Sequence, residues 1–235
     1  MKRIAILLRG FHQLTPKVSK QGRHTTSPTH FDYRDVFFSF MRMVWEPLQL
    51  LGHEMDLYIS TYHSEIDETL KFLPNIKNIL FMGKDGNQSL TFLRGMQTIP
   101  DEYDIYLVLR FDLWYKQPIT QWMPYFLENS PQVFVTHREY EREWNNKRRI
   151  GDVIMAYNQK GKTLIQNIMM REKVFNPHWF HTMYEKVTNE GMIVSFLADG
   201  FYDSNTSYDK RPECSNPLYI FWGRPYHHSD RPFFV

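Results

Sequence analysis

Apolar positions recur along this chain with two different periods. Residues 3–9, Arg-Ile-Ala-Ile-Leu-Leu-Arg, form a short unbroken apolar run, which predicts a strand buried on both faces and ending at Arg9 and Gly10. A long polar stretch follows, Phe11 to His30, punctuated by Pro16, Gly22 and Pro28 and carrying Lys17, Lys20, Arg23, His24 and His30. It reads as a loop, and a loop of that length inside a compact domain is usually functional or disordered. From Asp32 to Leu51 the apolar residues return at helical spacing and stop at Gly52, with Pro47 expected to kink or divide the helix. The pattern then gives a strand over 54–61, a short helix over 65–73 capped by Ser64, a strand over 76–83, a turn, and a helix over 89–99. Strands alternating with helices predict a mostly parallel sheet with helices on both faces.

The run Tyr103 to Tyr115, "YDIYLVLRFDLWY", reads as one further buried strand, yet it carries Arg110 and Asp112 near its carboxyl end. Residues two apart on a strand share a face, so the two charges can neutralise each other. Alternatively, they look into a ligand cleft. Beyond Tyr115 the pattern loosens. "QVFVTH" (132–137) and "GDVIMAYN" (151–158) read as strands separated by a charged loop, "REYEREWNNKRRI", and Asp152 opens the second of them. Helices are expected over 160–172 and near 178–187, then a last strand and a proline-rich tail that carries His227, His228 and Asp230.

Composition narrows the class. A chain of 235 residues fits one α/β domain with a sizeable core, and a formal charge of +2 argues against a nucleic-acid coat protein. One cysteine, Cys214, rules out an intrachain disulfide and a cysteine-built zinc site, which fits a reducing compartment. The apolar stretch Ile4–Leu8 is too short for a signal peptide and meets Arg9 at once, and no stretch has the length of a membrane span. The expectation is a cytoplasmic protein, in a host or bacterial cell, that can also sit peripherally on a membrane. No G-x-G-x-x-G follows the first strand, which argues against a methyltransferase or dehydrogenase of the Rossmann type.

Ligands of parallel α/β sheets bind beyond the carboxyl ends of the strands. There the sequence places Arg9, then Thr61, Tyr62 and His63, then Arg110 and Asp112. Arginine forks onto phosphate oxygens, and a carboxylate can hold a hard cation shared with phosphate.

The first strand and helix, "STYHS" (60–64), "LVLRFDLWY" (107–115) and "GDVIMAYN" together resemble small glycosyltransferases of the GT-A type, encoded in bacterial capsule and lipopolysaccharide loci and in large DNA viruses. The resemblance covers roughly Arg3 to Asn158. It implies a single GT-A-like, Rossmann-like α/β domain over residues 1–235, in which 1–115 bind a nucleotide-diphosphate sugar and 116–235 shape the side of a glycan acceptor. It also implies that Arg9 approaches the nucleotide or diphosphate, that Thr61, Tyr62 and His63 lie at the base or ribose, and that Asp112 holds Mn²⁺ or Mg²⁺ against the diphosphate. The family's Asp-x-Asp motif is here Arg110-Phe111-Asp112, with a cation in place of the first carboxylate. That departure leaves a single-carboxylate metal site, or a site where Arg110 partly replaces the metal. Asp199, in "FLADGFY", is assigned as the general base and Asp152 as a second catalytic cleft residue. A non-catalytic module that binds a carbohydrate or a phosphorylated partner is the alternative.

Overall fold

The computed structural model describes residues 1–14, 31–83, 86–127, 129–172, 179–202 and 216–222. The basic residues at 17–30, Cys214, His227, His228 and Asp230 lie outside the described residues. The framework is an α/β sandwich around one seven-stranded sheet. Its strands are β1 (Arg3–Arg9), β4 (Glu54–Tyr62), β5 (Ile76–Met82), β6 (Ile105–Arg110), β8 (Gln132–Val135), β10 (Met155–Tyr157) and β11 (Ile193–Phe196), and their order across the sheet is β5-β4-β1-β6-β10-β8-β11. Short pairs β2 (Gln13–Leu14) with β3 (Phe31–Asp32), β7 (Leu113–Tyr115) with β13 (Tyr219–Phe221), and β9 (Arg138–Glu139) with β12 (Phe201–Tyr202) form three small ribbons outside it. Every neighbouring pair in the large sheet is parallel except the two made by β10, which runs antiparallel to both β6 and β8.

The alternation within β1 shows how the layers assemble. Ile4, Ile6 and Leu8 face one core with Val36, Phe40, Val44 and Leu48, while Ala5 and Leu7 face the other with Phe92, Met96, Ile165 and Met183. The first face is covered by α1 (Arg34–Phe40) and α2 (Glu46–Leu50), the second by α3 (Gln88–Gln97), α5 (Gln159–Arg171) and α6 (Met183–Asn189). Each fully buried Leu or Ile contributes about 1.5–3 kcal/mol, so a two-sided strand such as β1 anchors the whole sandwich. Helix α3 crosses close to the sheet because residue 95 is glycine: a Cβ there would meet Leu7 Cδ1 at 2.8 Å and Ser60 Cβ at 2.9 Å. Pro47 has no N–H to give to the preceding turn, and the chain answers with a wider turn over Met41–Trp45, in which Glu46 N–H donates to Met41 O, before α2 begins. No helix among the described residues is long and apolar enough to cross a membrane.

Three expectations are corrected. The run 103–115 is two strands, because β1 ends at Arg9 opposite Arg110 and leaves nothing to pair with beyond it. The chain turns at Phe111–Asp112 and β7 leaves to pair antiparallel with β13. The run is apolar because Phe111, Leu113 and Tyr115 stay in the core. The charged loop at 138–150 contains β9 and the helix α4 (Glu141–Lys147), which buries Trp144 and carries acidic residues in its first turn and Lys147 in its last. Its charges hid a helix with a single apolar anchor. Finally, Asp152 precedes its strand: β10 begins only at Met155, and Gly151 hydrogen-bonds through its N–H to His137 O at 2.8 Å.

Candidate functional site

The register of the sheet sets Arg9 beside Ser60 on one side and Arg110 on the other, at the carboxyl ends of three adjacent parallel strands. Gly10 ends β1 with φ +95°, a conformation open to glycine, and donates its N–H to Ser60 O at 3.1 Å. The two neighbouring arginines then take different routes. Arg9 is 1 % exposed, and its Nη2 donates to the Asp152 backbone carbonyl at 2.7 Å while the guanidinium lies 5.1 Å from the Phe180 ring centre. Burial pulls its pKa down to about 10; Asp152 opposes the shift and Arg110 adds to it. Its Nε–H is buried and, among the described residues, has no hydrogen-bond partner.

Arg110 instead forks onto Asp112. Nε donates to Oδ1 at 2.8 Å and Nη2 to Oδ2 at 2.6 Å, and the two side chains are 19 % and 14 % exposed. Burial alone would lower the Arg110 pKa, but the charge and hydrogen bonds of Asp112 outweigh it and raise it. Phe221 lies 5.1 Å beneath the guanidinium, and Trp222 N–H fixes the turn by donating to Asp112 O at 2.9 Å.

The carboxylate of Asp152 is enclosed next to this pair. Gln88 Nε2 donates to Oδ2, and His181 Nε2 stands 3.9 Å from Oδ1. Burial raises the Asp152 pKa, yet His181, Arg9 and Arg110 together bring it below its ordinary value. His181 lies in turn beside Glu139, with Nδ1 3.4 Å from Oε1 and 3.1 Å from Ile150 O. Burial works against its protonation, but Asp152 and Glu139 prevail and lift its pKa to about 8. His181 and Glu139 were absent from the sequence-based candidates. The available signal was faint: a histidine inside an aromatic stretch that has the spacing of core packing.

Thr61, Tyr62 and His63 lie at the end of β4 and belong to a separate polar network. Thr61 donates to Gly10 O at 2.8 Å, so its oxygen can only accept from the buried His12, whose Nδ1 stands 2.7 Å away. His12 Nε2 stands 2.7 Å from Ser64 Oγ and 3.1 Å from Asp67 Oδ1. Burial lowers the His12 pKa against the pull of Asp67. Asp67 also accepts from Ser64 N at 2.8 Å and meets His63 Nδ1 at 2.8 Å. The helix expected over 65–73 with Ser64 as its cap is instead a 3₁₀ turn, Asp67–Phe72, with Ile66 at the N-cap; Ser64 lies ahead of it and accepts from Ile66 N at 3.2 Å. Tyr62 stacks on the exposed ring of Phe11 with centroids 4.3 Å apart, and burial pushes its pKa up to about 12. His63 is exposed and stacks on Phe81 at 4.2 Å.

Asp199 follows β11, fully exposed, with Arg138 Nη1 3.4 Å from its carboxylate. The structure thus gathers Arg9, Arg110, Asp112 and Asp152 into one charged cluster, sets Thr61, Tyr62 and His63 at the adjoining strand end, and puts Asp199 on the surface beside Arg138.

A divalent cation at Asp112 fits this donor set poorly. Both Asp112 oxygens already accept from Arg110, and among the described residues no three His, Cys, Asp or Glu side chains gather where they could hold a metal. A cation there would face the guanidinium directly.

No protein-family profile matches the chain, and no curated protein matches it by sequence. Solved structures do share its fold. A protein from Bacillus anthracis described as a glucose-1-phosphate thymidylyltransferase, in complex with sucrose, superposes with a TM-score of 0.52 at 13 % identity, covering 96 % of this chain and 99 % of that one. An active-site mutant of LgtC superposes with a TM-score of 0.50 at 11 % identity, over 95 % of this chain and 88 % of that one. The catalytic domain of Drosophila beta1,4galactosyltransferase 7, complexed with xylobiose, gives 0.48 at 9 % identity, over 100 % of this chain and 76 % of that one. The first two likenesses are of fold: a mostly parallel, GT-A-like and Rossmann-like sheet flanked by helices.

Proposed function

We propose that the chain transfers a sugar from a nucleotide-diphosphate donor to a glycan acceptor. The observation that carries this reading is Arg110, partly exposed and held by Asp112 at the carboxyl end of β6 beside β1, where ligands of such sheets bind. The fold shared with LgtC, a GT-A-type glycosyltransferase, supports it. In this reading the nucleotide enters over β1 and β4, with the Phe11–Tyr62 stack and the end of β4 toward its base and ribose, and the diphosphate lies toward Arg110.

In the transfer, an acceptor hydroxyl oxygen bonds to the anomeric carbon while the bond from that carbon to the phosphate oxygen breaks. The hydroxyl proton passes to a base, and the diphosphate departs with the bonding electron pair. Cationic donors aimed at the departing oxygens supply most of the help such a step needs. Asp199 suits the base better than Asp152, because its carboxylate is exposed to an incoming hydroxyl whereas Asp152 is enclosed by Gln88 and His181.

The fold match to the Bacillus anthracis protein favours a second reading, transfer of a nucleotidyl group onto a sugar phosphate. Product analysis separates the two. The protein is incubated with nucleotide sugars and a panel of oligosaccharide acceptors, and separately with nucleoside triphosphates and sugar 1-phosphates. Glycosyl transfer releases a nucleoside diphosphate in the first mixture. Pyrophosphate from the second establishes the nucleotidyl reading instead, and binding without turnover in both leaves a carbohydrate- or phosphate-binding module.

A further inference from the structure

We infer that Arg110, in place of a divalent cation, is the positive clamp for the donor's diphosphate, and that Asp112 is an internal counter-ion which the diphosphate displaces. This rests on the nucleotide-sugar reading and specifies how that site holds its ligand.

The geometry carries the argument. A carboxylate that ligates a metal must turn a lone pair to it, but both Asp112 oxygens accept hydrogen bonds from one guanidinium, at 2.8 and 2.6 Å. Releasing them would leave Arg110 with its charge directed at the incoming cation, in a place where the two side chains are only 19 % and 14 % exposed and like charges are poorly screened. Nor do other ligands converge, since among the described residues no group of three His, Cys, Asp or Glu side chains could complete a coordination shell. The other enclosed carboxylate of the cluster, Asp152, is occupied by Gln88 and His181.

A phosphate, by contrast, fits what is present. The guanidinium fork that grips a carboxylate through two parallel N–H bonds grips phosphate oxygens equally well. Arg110 is already desolvated and oriented, with Phe221 beneath it and the turn at Asp112 pinned by Trp222 N–H. Exchanging one bidentate anion for another therefore needs little reorganisation. A diphosphate brings more negative charge than a carboxylate, so it competes with Asp112 for the fork. The role of Asp112 in the empty site is to keep Arg110 charged, aimed and shielded.

This arrangement and a metal site predict opposite signs for one substitution. Binding of UDP, GDP, CDP, ADP and dTDP is measured by titration calorimetry on the full chain, in EDTA and again with Mn²⁺ or Mg²⁺. The expected result is that at least one nucleoside diphosphate binds in EDTA with its affinity changed less than about twofold by metal. Asp112→Asn, which removes the competing anion and keeps the side-chain shape, should bind it about fivefold more tightly, and Arg110→Gln about tenfold or more weakly. Circular dichroism and a melting curve of each variant confirm that it is folded, and Arg110→Lys offers a milder second variant that keeps charge without the fork. If binding instead requires the metal and Asp112→Asn abolishes it, Asp112 is a metal ligand and the inference is wrong while the nucleotide reading stands. If the wild-type chain binds no nucleoside diphosphate in EDTA or with metal, both are wrong.

Discussion

Arg9 and Arg110 are neighbours in register on adjacent strands, yet the fold treats them differently. Arg9 is sealed in, its charge spread over the backbone carbonyl of Asp152 and the face of Phe180. Arg110 keeps an exposed edge and is matched by one carboxylate. The comparison teaches that arginine at a strand end can be an anchor for the loops above or a hand held out to a ligand. What decides is whether its partner is fixed backbone or a side chain that can swing away.

Arg9→Met gives the largest expected effect. It strands the Asp152 carbonyl and removes a cation from beside a buried carboxylate, which should cost about 3 kcal/mol in urea unfolding. A loss below about 1 kcal/mol would erase the distinction between the two arginines.

The Asp152–His181 contact comes next. His181 has a folded pKa of about 8, above its ordinary 6.5. Its contribution to stability is then full below about pH 6.5 and lost as the pH rises through about 8, amounting to about 2 kcal/mol. His181→Gln should flatten the stability profile between pH 6.5 and 8, and a profile that keeps its slope in this variant places the titrating group elsewhere. Asp152 works in the opposite sense: its pKa is depressed, so its contribution is present above the ordinary carboxylate range and lost as the pH falls through the lowered value.

Removing the Arg110–Asp112 fork should matter least for folding. Asp112→Asn is expected to lower stability by about 1.5 kcal/mol, because the amide oxygen still accepts from Arg110 and only the charge of that hydrogen bond is lost. A loss as large as that of Arg9→Met would make the fork a structural pair, as the sequence also allowed.

Much of this contrast could be read in the sequence. The strand-helix alternation through β6 was legible because two-sided burial forces unbroken apolar runs such as Ile4–Leu8. Arg110 and Asp112 announced themselves as charges inside such a run. Other features left no trace. The split of 103–115 depends on where β1 stops, a neighbour distant in sequence. The burial of Arg9 depends on loop 150–154 and Phe180 folding over it. Glu139 and His181 meet only in three dimensions, from a segment read as a charged loop and a helix expected near 178–187. The second half was harder because β9, α4 and β12 are short and rely on single anchors such as Trp144.

The central claim is that the strand ends of β1, β4 and β6 receive a nucleotide carrying a diphosphate. The most direct test is thermal unfolding of the wild-type chain against a panel of nucleotides and nucleotide sugars, each with and without Mn²⁺ or Mg²⁺. A ligand present at about a hundred times its dissociation constant should raise the midpoint by about 5 °C or more, with nucleoside diphosphates and their sugars ahead of monophosphates. A melting curve unmoved by every nucleotide would contradict the account and leave the charged cluster as scaffolding.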